Sequence, residues 1–221
     1  MNSKVFKYVK LGIGCLSALV ALFCVILAIL SLVNLDFSEF TLFDVYLILS
    51  SLVTVGMAVC YGLVGYALIM GFVNAKDDEK LVNLPALIYA AGEGLIFLLA
   101  ICFAQGYRVA LLWVALILAI GSVVAFFIAK TQTEEKNKYI VYIVMATIAF
   151  VVCTLQFEGN GGLGLVCNIF SFMMIMGVCG YYVCKLIPTS NSSNKEDTPK
   201  EEAKVEEPKS EEAPKEETKA E

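Results

Sequence analysis

Residues 109–129 read V-A-L-L-W-V-A-L-I-L-A-I-G-S-V-V-A-F-F-I-A, a run with no charge and a single hydroxyl, Ser122. The hydrocarbon core of a bilayer is about 30 Å thick and takes roughly 20 residues of helix to cross. Apolar residues here are continuous and do not alternate with polar ones at every second position, so this is not a membrane barrel strand. In lipid every backbone N–H and C=O must find a partner within its own segment, which makes the run a helix. The fold then turns on how many such runs the chain holds.

Working outward, five more lie near 11–33, 45–73, 84–104, 139–157 and 162–184. The connectors between them are too short to cover six such rods as a soluble core. The chain is 59% apolar and 17% charged, with a mean hydropathy of +0.78, against about 25% charged residues in an ordinary soluble domain. The expected fold is all-α: a polytopic transmembrane bundle over residues 1–187, its six helices arranged as three hairpins, followed by a tail over 188–221. The first run is longer than the roughly 7–15 apolar residues of a signal peptide and no A-x-A-like site follows it, so it is expected to stay as an anchor.

Lysines set the orientation. Lys4, Lys7 and Lys10 precede the first span, Lys76 and Lys80 separate the second and third, Lys130, Lys136 and Lys138 separate the fourth and fifth, and Lys185 follows the sixth. The three remaining connectors carry only Arg108. By the positive-inside rule both termini are expected in the cytoplasm, with the cell membrane as host.

The net charge of −5 belongs entirely to residues 188–221, which hold six basic and eleven acidic side chains. The body is neutral, with no basic stripe for nucleic acid. The tail repeats P-K-E-E, P-K-S-E-E and P-K-E-E from Pro199, Pro208 and Pro214. Its prolines interrupt any helix and no face could be buried, so disorder is expected. It reads as a solubilising tail or as a docking strip for a basic cytoplasmic partner, and an anionic inner leaflet would repel it.

The chain has no histidine, which removes zinc sites of the usual kind and Ser-His-Asp or Cys-His catalysis. Its eight cysteines all fall within expected spans and form no C-x-x-C pair; they read as small membrane-compatible residues. Met173, Met174 and Met176 do not share one helical face, so a copper site is not inferred from them. No phosphate-cradling loop or paired carboxylates occur, and neither a cofactor nor a metal is expected. Asp77, Asp78 and Glu79 read as a solvated turn, and Asp36, Glu39 and Asp44 as a wet loop.

One position breaks the apolar pattern. A-A-G-E-G-L-I-F, residues 90–97, puts Glu93 at the centre of the third span. An ionisable group there costs ~3 kcal/mol on insertion scales. The ten Leu, Ile and Phe residues of 84–104 each return roughly 0.3–0.6 kcal/mol when central, so insertion is still favoured. At 100° per residue Glu93 shares a stripe with Ala86, Ala90, Ala100 and Ala104. Leu84, Ile88, Leu95, Leu98 and Cys102 lie opposite. Small residues mark close helix contact, so the carboxylate is expected to face the bundle. No Lys, Arg or His lies within a span to pair with it, and Arg108 is at the helix end. Tyr61, Ser122 and Thr147 are hydrogen-bond candidates by depth. Gly92 and Gly94 would let another backbone approach or allow local unwinding. Glu93 then reads either as a protonated interhelical hydrogen-bond donor that fixes packing, or as a group that carries a proton or contacts a cation during transport.

Gly14, Ser17, Ala18 and Ala21 in the first span, and Gly56, Gly62, Gly65 and Gly71 in the second, favour tight helix packing within the chain or against another membrane protein. Ser50, Ser51 and Thr54 lie near the outer half of the second span. In topology and length the layout is similar to that of the substrate-capture subunits of energy-coupling-factor vitamin transporters, which implies a compact six-helix solute-binding protein. Two functions compete. One is a non-catalytic accessory or interaction subunit in the bilayer, slightly favoured by the scarcity of polar residues in the spans. The other is a small proton- or cation-coupled transporter, channel or capture subunit that uses Glu93. An enzyme is not expected.

Overall fold

A computed structural model describes residues 3–33, 35, 40–74, 79–103, 109–156 and 162–187. Within them the chain forms six helices and no strand: α1 (Ser3–Val33), α2 (Leu42–Val73), α3 (Leu84–Phe103), α4 (Val109–Thr131), α5 (Glu135–Leu155) and α6 (Gly162–Leu186), with a short 3-10 turn at Glu79–Leu81 before α3. All six are long and apolar enough to cross a membrane. Asp36, Glu39, Lys76, Asp77, Asp78, Ala104 and Arg108, with most of the three hairpin turns and the tail over 188–221, lie outside the described residues.

Several helices run past their apolar spans. α1 begins at Ser3 and includes Lys4, Lys7 and Lys10, and α5 begins at Glu135. Hydropathy locates the part that lipid covers, whereas Lys and Glu are good helix formers and carry the rod onward into the interface. α2 is 32 residues long, about 48 Å at 1.5 Å per residue, which a bilayer accommodates by tilt. Its start is capped. The Thr41 backbone N–H and hydroxyl both donate to the Asp44 carboxylate at 2.7 Å. Asp44 is therefore a buried capping residue and not part of a wet loop; its charge also suits a helix N-terminus. Pro85 stands in the first turn of α3, where a missing N–H costs nothing.

Each helix packs on its neighbours in sequence, and α6 closes the ring onto α1. α3 also touches α5 and α6, which sets it toward the inside of the ring. The most extensive pairing is α1 with α2, and small residues make it. A Cβ on Gly65 would lie 2.9 Å from the Gly14 carbonyl oxygen and 3.0 Å from the Ala18 nitrogen. These residues are used in packing inside the chain. The outer surface is apolar, with Leu22, Ile29, Leu63, Ile117 and Phe127 exposed, as lipid contact requires.

The bundle has two unlike ends. At the end that holds the start of α1 and the finish of α6, aromatic rings fill the centre. Phe6 meets Tyr181 edge-on at 5.5 Å, and Tyr182 packs on Tyr142 at 5.0 Å and Tyr181 at 5.2 Å. Lys185 lies 5.4–6.0 Å from the rings of Phe6, Tyr139 and Tyr181 and pairs with Glu79 at 3.3 Å. Glu79 is thus half-buried in a partly solvated ion pair, because the 3-10 turn folds it back onto α6. We call this the terminal end. The opposite end, where α1 runs toward α2, α3 toward α4 and α5 toward α6, is the hairpin end.

Candidate functional site

Small side chains in the hairpin half leave a half-open cavity of about 450 Å3 to which all six helices contribute. Its wall takes Cys24 and Ala28 from α1, Ser50, Ser51 and Thr54 from α2, Glu93 and Phe97 from α3, Ala115 from α4, Gln156 from just beyond α5, and Cys167 and Asn168 from α6. Glu93 is the one charged side chain among the lining residues.

Glu93 faces inward for the reason its helical spacing predicts. Ala86, Ala90 and Ala100 on the same stripe are buried, while Leu95, Leu98 and Cys102 are exposed. The flanking glycines sit where α3 approaches its neighbours. A Cβ on Gly92 would run into the Met57 thioether of α2, and one on Gly94 would lie 3.2 Å from the Ala119 Cβ of α4. α3 is continuous through both, so the two glycines admit neighbours without local unwinding.

The hydrogen-bond partner of Glu93 is Gln156. The Gln156 amide donates through Nε2 to Glu93 Oε2, and its Oε1 accepts from the Tyr89 hydroxyl at 3.2 Å. Tyr89 lies one turn before Glu93 on α3, so two residues of one helix grip the two ends of a single amide. That orients the amide with its donor toward the carboxylate. Gln156 is itself held at the end of α5 by its backbone N–H, which bonds the Cys153 carbonyl at 3.2 Å.

The three partners expected from depth are placed elsewhere. Ser122 donates to the Met145 carbonyl at 3.2 Å. Thr147 bonds its own helix at the Ile143 carbonyl at 2.8 Å and is exposed on the outside of the bundle. Tyr61 is fully buried, with a hydroxyl that meets no partner among the described residues. Depth gives only one coordinate. Which side chains meet also depends on the angle at which each helix presents them, and that follows from the ring order.

Other polar groups on the wall are not tied to Glu93 by sequence reasoning. Asn168 is 6% exposed and Ser51 3%, yet Asn168 Nδ2 and Ser51 Oγ have no hydrogen-bond partner among the described residues. Buried polar groups are normally paired, so two orphans on one cavity wall ask for an explanation. The Cys24 and Cys167 thiols, from α1 and α6, lie on the same wall, and Cys153 Sγ donates to the Asn168 carbonyl at 3.6 Å. The signal that could have found this site is positional: Ser31, Ser50, Ser51, Thr54, Gln156 and Asn168 all fall in the hairpin half of their spans, with Glu93 at the centre of its own.

Comparison with protein-family models, with curated proteins and with solved structures finds no match. The site is therefore read from its own chemistry.

Proposed function

We propose that this chain binds a small solute within the membrane and takes part in moving it across, either as a small transporter or as the capture subunit of a larger one, with Glu93 as the polar anchor. The observation that carries this reading is the cavity: about 450 Å3, lined by all six helices, with one carboxylate and two orphaned polar groups on its wall. Intramembrane ionisable residues that face a cavity mark substrate or ion paths, and pockets of this volume are usual for small ligands. The filled terminal end supports the reading further, because a transporter must close one side while the other is open.

The accessory reading rests on the scarcity of polar residues in the spans. It loses weight because those few residues converge on one space. Gly14, Ala18 and Gly65, part of what would be its docking surface, are used within the chain, whereas Gly56 on α2 is exposed with nothing within 4 Å. With the lysines on the cytoplasmic side of a cell membrane, the cavity lies in the outward half, and a non-enzymatic role is proposed for it. The acidic tail keeps its proposed part as a docking strip for a basic cytoplasmic partner.

A cavity-filling variant tests the reading. Ser50 lies on the wall and bonds only its own helix, at the Leu47 carbonyl. The full chain in lipid nanodiscs is incubated with a metabolite extract, washed and analysed by mass spectrometry beside Ser50→Trp. Retention of a solute by the wild-type chain and not by the filled variant is expected. Equal retention by both, with the chain instead purifying as a fixed complex with another membrane protein, would return the accessory reading.

A further inference from the structure

Deepening the reading just given, and resting on it, we infer that the cavity selects small organic cations: the Glu93 carboxylate pairs with an ammonium head while Leu27, Ile96, Phe97 and Leu112 cover the hydrocarbon body. Glu93 is the one charged group among the described residues of the wall, and no Lys, Arg or His faces it there. Among the described residues of the wall an anionic ligand would meet a like charge with no compensating cation, whereas a cation would meet a partner that those residues do not supply.

One carboxylate oxygen, Oε2, is held by the Gln156 amide, which is held in turn by Tyr89. The other oxygen has no partner among the described residues, and Glu93 is half-buried at the cavity wall. An acceptor fixed in direction with one oxygen left over suits a donor such as an ammonium. Asn168 Nδ2 and Ser51 Oγ, both more than nine-tenths buried and without a partner among the described residues, would serve a hydroxyl or carbonyl elsewhere on the same ligand. The rings of Tyr46 and Phe97 line the space as well, and aromatic faces attract ammonium groups.

Size separates an organic cation from a metal ion. Hard cations take six or more oxygen ligands in a tight shell. A cavity of about 450 Å3 with a single carboxylate is too wide and too poor in oxygen for that, and no group of three or more His, Cys, Asp or Glu side chains is placed to hold a metal among the described residues. The apolar walls suit a carbon skeleton.

Charge-selective thiol labelling tests the inference without knowing the natural ligand. Ser50→Cys is placed in a background with all eight native cysteines replaced, in nanodiscs of zwitterionic phosphatidylcholine at mildly alkaline pH. Its rates with 2-aminoethyl methanethiosulfonate, an alkylammonium, and 2-sulfonatoethyl methanethiosulfonate, an anion, are divided by those of 2-mercaptoethanol. The ammonium reagent is expected to be favoured by roughly tenfold or more, since one charge acts at short range in a low-dielectric site. Glu93→Gln should bring the ratio close to that of the free thiol. A ratio unchanged by Glu93→Gln, or one favouring the anion, overturns the inference and leaves the solute-binding reading standing. Absence of labelling by either reagent sinks both, because the cavity would then not be reached. Should the cysteine-free chain fail to fold, the same ratio is read by mass spectrometry at Cys24 and Cys167 of the otherwise native chain, with and without Glu93→Gln. The same outcomes apply.

Discussion

The two halves of the bundle use the same helices for opposite ends. In the terminal half, Tyr142, Tyr181 and Tyr182 are buried, with the Tyr182 ring tilted against Tyr142 and edge-on to Tyr181, and the space between helices is filled with rings. In the hairpin half, Ala28, Ser50, Ala100 and Ala115 line a space that stays open. Helix–helix association in lipid has no hydrophobic drive of its own and relies on packing and interhelical hydrogen bonds. Stability should therefore reside mainly in the terminal half. The hairpin half is free to hold polar groups, Ser51 and Asn168, whose full set of partners the described residues do not provide.

The largest expected effect breaks this comparison at its dense end. Tyr182 is 1% exposed and contacts the rings of Tyr139, Tyr142 and Tyr181. Tyr182→Ala should cost about 3 kcal/mol or more, in the range for removing a buried aromatic ring. Thermal unfolding in detergent, followed by loss of the monodisperse elution peak, measures it. A comparable change of volume in the open half, as in Ser50→Trp, should cost much less, because the added atoms enter space already present. Equal losses from the two variants would mean that the cavity wall is as tightly packed as the tyrosine cluster.

A medium effect is expected where the halves meet. A Cβ on Gly92 would collide with Met57, which lines the cavity from α2. Gly92→Ala should destabilise by roughly 1–3 kcal/mol through overpacking. Met57→Ala in the same chain should recover much of that loss, because it removes the obstructing atoms. Such a double-mutant cycle isolates the pair. Additive losses would show that Gly92 matters for its backbone and not for the approach of α2.

Much of this architecture is legible in the sequence. Six spans, their pairing in order and the inward turn of Glu93 follow from hydropathy and a 3.6-residue period, and Ala86, Ala90 and Ala100 are buried as that period requires. The close pairing at Gly14, Ala18 and Gly65 follows from residue size. The role of Gln156 does not follow. It sits at the end of α5, where a polar residue is unremarkable, and what it does depends on α3 lying inside the ring against α5. Nothing in either helix alone encodes that placement. The cavity is hidden from the sequence for a related reason. Ser, Thr and Ala are tolerated anywhere in a membrane helix, so a wall made of them scores as ordinary span until six helices bring it together.

The smallest effect sharpens the account of the closed end. Lys185 and Glu79 pair at 3.3 Å across the terminal end, their side chains 29% and 33% exposed. The pair looks like a latch. Partly solvated ion pairs are nonetheless worth about 0–1 kcal/mol, since water screens them and two flexible side chains must be held still. Lys185→Met keeps the aliphatic stem against Phe6 and Tyr181 and removes only the charge. It should lower stability by less than about 1 kcal/mol, with most of that loss also produced in the wild-type chain by high salt. The rings would then hold the end shut, and the ion pair would only register the 3-10 turn against α6. A loss approaching that of Tyr182→Ala, and insensitive to salt, would instead place the closure in electrostatics and make Lys185 the group whose release opens the terminal end.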